Sequence, residues 1–158
     1  MENLTNEKYI IDAVNQYSDT VFRVAFQYTK DRADAEDVLQ EVFLTLLKKP
    51  PQIPLEDDGL KAWLIRVTIN KSKDYLRANK RRRALLHNYR FPEQPISHDE
   101  VFEALEKLSE LDRNALYLHY YERYTAREIA NILGHNERAI TKRIGRARKK
   151  LKHFLEEE

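Results

Sequence analysis

The chain has 158 residues, no cysteine, only three glycines and a formal net charge of +2. Lacking cysteine, it has no disulfides and no thiolate metal sites, and Gly59, Gly134 and Gly145 are too dispersed to build a phosphate-cradling loop. No apolar run approaches the roughly 20 residues of a membrane span, and MENLTNEKY lacks the charged and apolar regions of a signal peptide, so a cytoplasmic protein with no cofactor and no metal is expected.

The small net charge conceals a segregated distribution. Residues 1–60 carry 6 basic and 12 acidic groups, residues 61–90 carry 10 and 1, residues 91–137 carry 4 and 10, and residues 138–158 carry 8 and 3. Two basic blocks separated by acidic ones suit two contacts with a polyanion, leaving other faces for something else. Alternating β-branched runs are few and helical periodicity dominates. The expected class is all-α: two small helical domains joined by a flexible linker, the second a helix-turn-helix domain.

From Asn6 to about Tyr28, the residues Tyr9, Ile10, Ala13, Val14, Tyr17, Val21, Val24, Ala25 and Tyr28 make a helical stripe with aromatic weight. It predicts one long helix, or two with a break at Ser18 and Asp19. A polar link over 29–33 leads into DAEDVLQEVFLTLLKK, residues 34–49. There Val38, Leu39, Val42, Phe43, Leu46 and Leu47 define the buried side, while Asp37, Gln40, Glu41 and Leu44 lie opposite. No Glu-x-x-His motif accompanies these acids, so a di-iron bundle is not indicated. The acidic face beside Leu44 fits either a solvated surface or a docking surface.

PPQIPLEDDG, residues 50–59, interrupts the helices with three prolines and three acids and reads as an ordered surface loop. Beyond it Leu60, Trp63, Leu64 and Val67 form a core stripe. The same helix then turns polar and basic through Arg66, Asn70, Lys71, Lys73, Asp74, Tyr75 and Arg77 to Lys80, Arg81, Arg82 and Arg83. Cations interleaved with aromatic rings suit strand-separated nucleic acid, although Trp63 itself is expected in the core. Residues 87–98, HNYRFPEQPISH, lose periodicity and are expected to be an interdomain linker; their histidines show no ligand spacing.

Val101, Phe102, Leu105, Leu108 and Leu111 begin a second small domain. Asp112 is positioned to cap the next helix, with Ala115, Leu116 and Leu118 inside, and Tyr120, Tyr121 and Tyr124 follow. The stretch 125–151 reads as two helices around a tight turn. Thr125 and Glu128 form a T-x-x-E capping box, with Ile129, Ala130 and Leu133 on one face. Gly134 supplies a left-handed stop, and Asn136 caps a second helix bearing Ile140, Ile144, Ala147 and Leu151. This is a helix-turn-helix pattern. Glu137, Arg138, Thr141, Lys142 and Gly145 face away from that stripe, flanked by Arg143, Arg146, Arg148, Lys149 and Lys150. Side chains at the start of such a helix reach base edges in a major groove, and cations further along meet phosphates.

Taken together, these blocks resemble bacterial sigma factors of the extracytoplasmic-function type in the sigma-70 family, over roughly residues 8–86 and 100–153. DAEDVLQEVF looks like the family's core-polymerase-binding helix, and AWLIRVTINKSKDYLR like its promoter-melting, −10-reading helix. LSELDRNALYLHYYERYTAREIANILG, running into ITKRIGRARKKL, looks like its −35-reading domain. The resemblance implies a region 2-like domain over 1–86, a linker over 87–99 and a region 4-like domain over 100–158. It implies core RNA polymerase on Asp37, Gln40, Glu41 and Leu44. Opened −10 DNA would meet Trp63, Arg66, Asn70, Lys71, Asp74, Arg77, Lys80, Arg81 and Arg82. Duplex −35 DNA would meet Arg127, Glu137, Arg138, Thr141, Lys142, Arg143 and Arg146. A non-enzymatic initiation factor is expected, with an anti-sigma protein as a further partner. Two departures stand out: residues 50–59 have no aromatic, where the family's loop usually carries one together with a glycine–acid pair, and 135–138 lack its small, aliphatic entry to the recognition helix. The alternatives are a dimeric helix-turn-helix regulator of duplex DNA and a polymerase-binding module that does not initiate.

Overall fold

The structure, a computed structural model, describes residues 2–85, 104, 105 and 107–156, with side chains described at 7–81, 104, 105 and 107–156. These residues contain six α-helices and one π-helical turn, and no strand among them. The chain divides into two compact units, Met1–Gln94 and Pro95–Glu158. The expected linker at 87–99, together with Val101, Phe102 and the Arg82 and Arg83 side chains, lies outside the described residues.

Unit 1 is a three-helix arrangement of α1 (Glu2–Thr29), α2 (Arg32–Lys48) and α3 (Asp58–Leu85). The stretch at Ser18 and Asp19 does not break α1: the Ser18 hydroxyl donates to the Val14 carbonyl one turn back, so it competes for a helical acceptor without ending the helix. The chain leaves α1 through Lys30 at φ 55 and enters α2 through Asp31, whose carboxylate accepts the Asp34 amide at 3.0 Å. That cap starts α2 two residues before the amphipathic stripe predicts.

Ala13, Tyr17, Val21 and Ala25 of α1, Ala35, Val38, Val42, Phe43 and Leu46 of α2, and Leu60 and Leu64 of α3 form one buried cluster. Trp63 and Val67 pack against it half-buried. Leu47, expected inside, is 51% exposed. It follows Leu46 by about 100° of helical turn in the last residues of α2, past the edge of a stripe centred on Ala35, Val38, Val42 and Leu46. The sequence reading also passed over Ile65, Thr68, Ile69 and Ser72, all buried on α3. Thr68 is accommodated because its hydroxyl donates to the Leu64 carbonyl at 2.6 Å.

The 50–59 loop is ordered by tyrosines two helical turns apart on α1. Tyr9 donates to the Ile53 carbonyl at 2.7 Å and Tyr17 to the Leu55 carbonyl at 3.2 Å. Burial raises both hydroxyl pKa values, reinforced for Tyr17 by Asp58, Asp57 and Glu56. Asp57 accepts the Gly59 amide at 2.8 Å, and a Cβ on Gly59 would stand 3.0 Å from that carboxylate, so the turn into α3 favours glycine.

Unit 2 contains α4 (Glu110–Leu116), the π turn Tyr117–Tyr121, α5 (Ala126–Leu133) and α6 (Glu137–Glu156). Ser109 caps α4, accepting the Asp112 amide at 3.2 Å. Asp112 is therefore not the cap expected from the sequence; it lies inside the helix, three residues after the cap. The capping box on α5 is complete: Glu128 N donates to Thr125 Oγ1 at 3.2 Å and Thr125 N to Glu128 Oε1 at 3.1 Å. Gly134 adopts φ 72, and the His135 amide donates back to the Ala130 carbonyl at 2.8 Å, closing α5. Asn136 then accepts the Arg138 amide at 2.8 Å to start α6. Ala115, Leu118, Ile129, Ala130, Ile132, Ile140, Ile144 and Ala147 are buried. Ile132, rather than the half-buried Leu133, completes the apolar face of α5.

Candidate functional site

In unit 1 the exposed face of α3 carries Arg66, Asn70, Lys73, Asp74, Arg77, Lys80 and Arg81. Steps of three and four residues place these side chains along one outward stripe, opposite Leu60, Leu64, Thr68 and Ser72. Asp74 and Arg77 pair at 2.6 Å, both largely exposed, so the bridge contributes at most about 1 kcal/mol and is readily exchanged for a phosphate. Trp63 falls in register with this stripe, three residues before Arg66, but is half-buried and leans on the core.

On α2, Asp37, Gln40, Glu41 and Leu44 are all exposed, Leu44 to 47%. These four meet Lys71, Asp74 and Tyr75 of α3 around an open cleft of about 470 Å³. Two groups that the sequence assigns to different contacts thus share one depression. Lys71 is half-buried there, beside the α2 carboxylates instead of on the outward stripe. At its edge the Tyr75 hydroxyl donates to Asp34 Oδ1 at 2.6 Å. Desolvation, aided by that hydrogen bond to Asp34, pushes the Tyr75 pKa up to about 12. Tyr75 is half-buried against the core and committed to Asp34, so its ring is a strut between helices and not a free stacking platform.

In unit 2 the start of α6 projects Glu137, Arg138, Thr141 and Lys142, all exposed. They border an open surface with Asn136, and Arg138 and Lys142 also face a cleft of about 480 Å³ with Asp112, Arg143, Arg146 and Lys150. The Thr141 hydroxyl donates back to the Glu137 carbonyl at 3.0 Å, which leaves both lone pairs of its oxygen to accept. Arg127 is exposed on α5, away from both sets of lining residues. Arg143 is half-buried, its Nη1 donating to Asp112 Oδ1 at 2.8 Å.

Sequence reasoning missed three positioning contacts. Asp112 was read as a cap because it stands just before an apolar run; the Ser109-x-x-Asp112 spacing is the signal that corrects it. The Asp34–Tyr75 bond spans 41 residues and had no sequence signal. The π turn was not anticipated either: Tyr117 and Tyr121 stack at 5.2 Å, while Tyr120 accepts a hydrogen bond from Arg148 Nη1 at 3.3 Å. That contact tethers one cation of the basic helix.

Two family models match the chain, Sigma-70 region 2 over residues 13–82 and Sigma-70 region 4 over residues 98–151. RNA polymerase sigma factor SigV of Bacillus subtilis is 24% identical over 159 residues, covering 98% of this chain and 95% of that protein. A probable RNA polymerase sigma factor, RfaY of Xanthomonas campestris pv. campestris, is 29% identical over 157 residues; the match covers 90% of this chain but 39% of RfaY. The sigma factor RpoE of Bartonella quintana, solved in complex with the anti-sigma factor NepR, has the same fold at a TM-score of 0.75 and 20% identity, covering 99% and 98% of the two chains.

Proposed function

On the premise that this chain belongs to the sigma-70 family of RNA polymerase sigma factors, and within it to the extracytoplasmic-function type, we propose that it binds core RNA polymerase and directs it to specific promoters. Unit 1 would dock on the polymerase through Asp37, Gln40, Glu41 and Leu44, and hold opened −10 DNA along Arg66, Asn70, Asp74, Arg77 and the cations that follow, with Lys71 set back beside the docking face. Unit 2 would read duplex −35 DNA through Arg138, Thr141, Lys142 and Arg143, with Arg127, Glu137 and Arg146 at the margins.

One observation carries this reading. Each of two compact units turns a cationic helix outward, and unit 1 adds an exposed acidic face with an exposed leucine on a neighbouring helix. A duplex regulator needs one cationic helix per protomer; the second, beside an acidic docking face, is what an initiation factor adds. Melting follows if unpaired bases are held outside the duplex, because that binding offsets the cost of unpairing. The catalytic chemistry of initiation belongs to the polymerase. An anti-sigma partner fits the same reading, since the similar Bartonella factor is seen with one. Among the described residues no helix is long and apolar enough to cross a membrane.

The test is run-off transcription by purified protein with bacterial core polymerase, on templates recovered from a random library by that complex. Defined transcripts support the reading. A symmetric footprint by a dimer lacking polymerase, or polymerase binding without transcripts, overturns it. Neutralising the docking face with Asp37→Asn and Glu41→Gln should weaken polymerase binding in a pull-down while leaving thermal unfolding in place. Arg138→Ala should change preference at one base pair by about 1–3 kcal/mol if it makes a bidentate base contact; a uniform loss over all sequences would assign it to phosphate.

A further inference from the structure

Five cations line the cleft beside α6, and a single carboxylate stands among them. Arg138, Lys142, Arg146 and Lys150 are exposed and make no ion pair among the described residues. Arg143 differs: its side chain is 38% exposed, and it meets the Asp112 carboxylate, itself only 10% exposed, across 31 residues of sequence. We propose that Asp112 is a positioning residue for promoter recognition, holding Arg143 so that this arginine is aimed at one base pair of the bound duplex. The inference rests on the reading of unit 2 as a duplex reader.

The physical argument has two parts. A long cationic side chain surrenders its rotamer freedom when it engages a base, and an arginine already braced by a carboxylate has surrendered most of it on folding. Nη1 is the atom given to Asp112, which chemically leaves the Nη2–Nε edge of the fork for a bidentate pair with O6 and N7 of a guanine. Charge points the same way. A carboxylate beside an arginine that only neutralised phosphate would weaken its task, since the carboxylate is repelled by the same backbone. Beside an arginine that must be aimed, that penalty is offset by orientation. The cations further along α6, Arg146 and Lys150, then supply the salt-sensitive, sequence-independent part of binding.

The experiment uses the full chain bound to core polymerase, with duplexes retained by the wild-type complex from a randomised library and every single-base-pair variant of the best one. Affinity is measured against salt for each. Arg143→Ala and Arg143→Lys should both lose about tenfold discrimination at one G·C pair, because lysine keeps the charge without the fork. Asp112→Asn should lose about threefold or more at that same pair, with an unchanged salt slope and a thermal midpoint near wild type. Combining Asp112→Asn with Arg143→Ala should lose no more than Arg143→Ala alone. If Asp112→Asn perturbs folding, the Arg143→Lys profile and its coupling to Asp112→Glu carry the same test.

Retained selectivity in Asp112→Asn, alongside lost selectivity in Arg143→Ala, overturns the positioning role. So does a uniform loss across all duplexes, which would make Asp112 a structural brace, or a uniform gain with a steeper salt slope, which would make it an electrostatic brake. An Arg143→Ala variant indistinguishable from wild type at every base pair would instead defeat the duplex reading of Arg143 itself.

Discussion

Unit 1 and unit 2 present the same kind of surface, a cationic helix turned outward, yet they hold it in place by different means. In unit 1 the helices run to 17 and 28 residues, and their position follows from a broad buried cluster plus three tyrosine hydroxyls that reach across to other segments. In unit 2, α4 and α5 have 7 and 8 residues, below the length at which an isolated helix persists in water. They depend on termini: Ser109, the Thr125–Glu128 box, the left-handed Gly134 and the Asn136 cap. Long helices can spend their ends freely; short ones are mostly ends. The lesson is that capping chemistry is a minor correction in one unit and a large share of the structural specification in the other.

The sharpest way to break that contrast is in the cores. Leu46→Ala in unit 1 and Ile140→Ala in unit 2, both fully buried, should each cost about 2–5 kcal/mol. Trp63 is the only tryptophan, so its fluorescence follows unit 1 and should register Leu46→Ala while missing Ile140→Ala. A shift in both would show that the units unfold together.

Next comes Tyr75→Phe, which keeps the ring and removes a hydrogen bond to a carboxylate, worth about 1.5–3 kcal/mol. The sign of its pH dependence is fixed. The Tyr75 pKa is raised in the folded chain from 10.0 to about 12, so its contribution is complete below pH 10 and is lost as pH climbs from 10 to 12. Wild-type unit 1 should weaken over that window, as Tyr9 and Tyr17 also resist ionisation, and the phenylalanine variant should weaken less steeply. Equal slopes in a tryptophan-monitored denaturation series would deny the Asp34–Tyr75 bond its role.

The smallest of the three is Gly134→Ala. No atom stands within 4 Å of a Cβ there, so the cost is purely that of φ 72, about 1–2 kcal/mol. Amide exchange should quicken across α5 and α6 while unit 1 is untouched. Asparagine at the same position should recover part of the loss, because it tolerates the left-handed conformation better.

Much of this was legible from residue order. The Thr125–Glu128 spacing, Gly134 and Asn136 each announce a local event completed within a few residues, and the structure reproduces all three. The exposed face of Asp37, Gln40, Glu41 and Leu44 was legible for the same reason, since helical period alone sorts it from Val38 and Val42. Leu47 failed that logic because it stands about 100° of helical turn past Leu46, beyond the edge of the buried stripe. Ser18 left one long helix or two open, because a hydroxyl that breaks a helix in one context bonds back to it in another; the structure has one.

Local chemistry therefore settled the all-helical class, the helix-turn-helix and the outward cationic faces, because each depends on contacts a few residues apart. Which polar groups are spent on one another depended on the packed chain. Asp112 and Arg143 lie 31 residues apart, Tyr75 and Asp34 41 apart, and Tyr9 reaches Ile53 across 44. No periodicity encodes such pairs; they exist once apolar burial has brought the helices together, and in unit 2 they hold Arg143 and Arg148 of the basic helix against Asp112 and Tyr120.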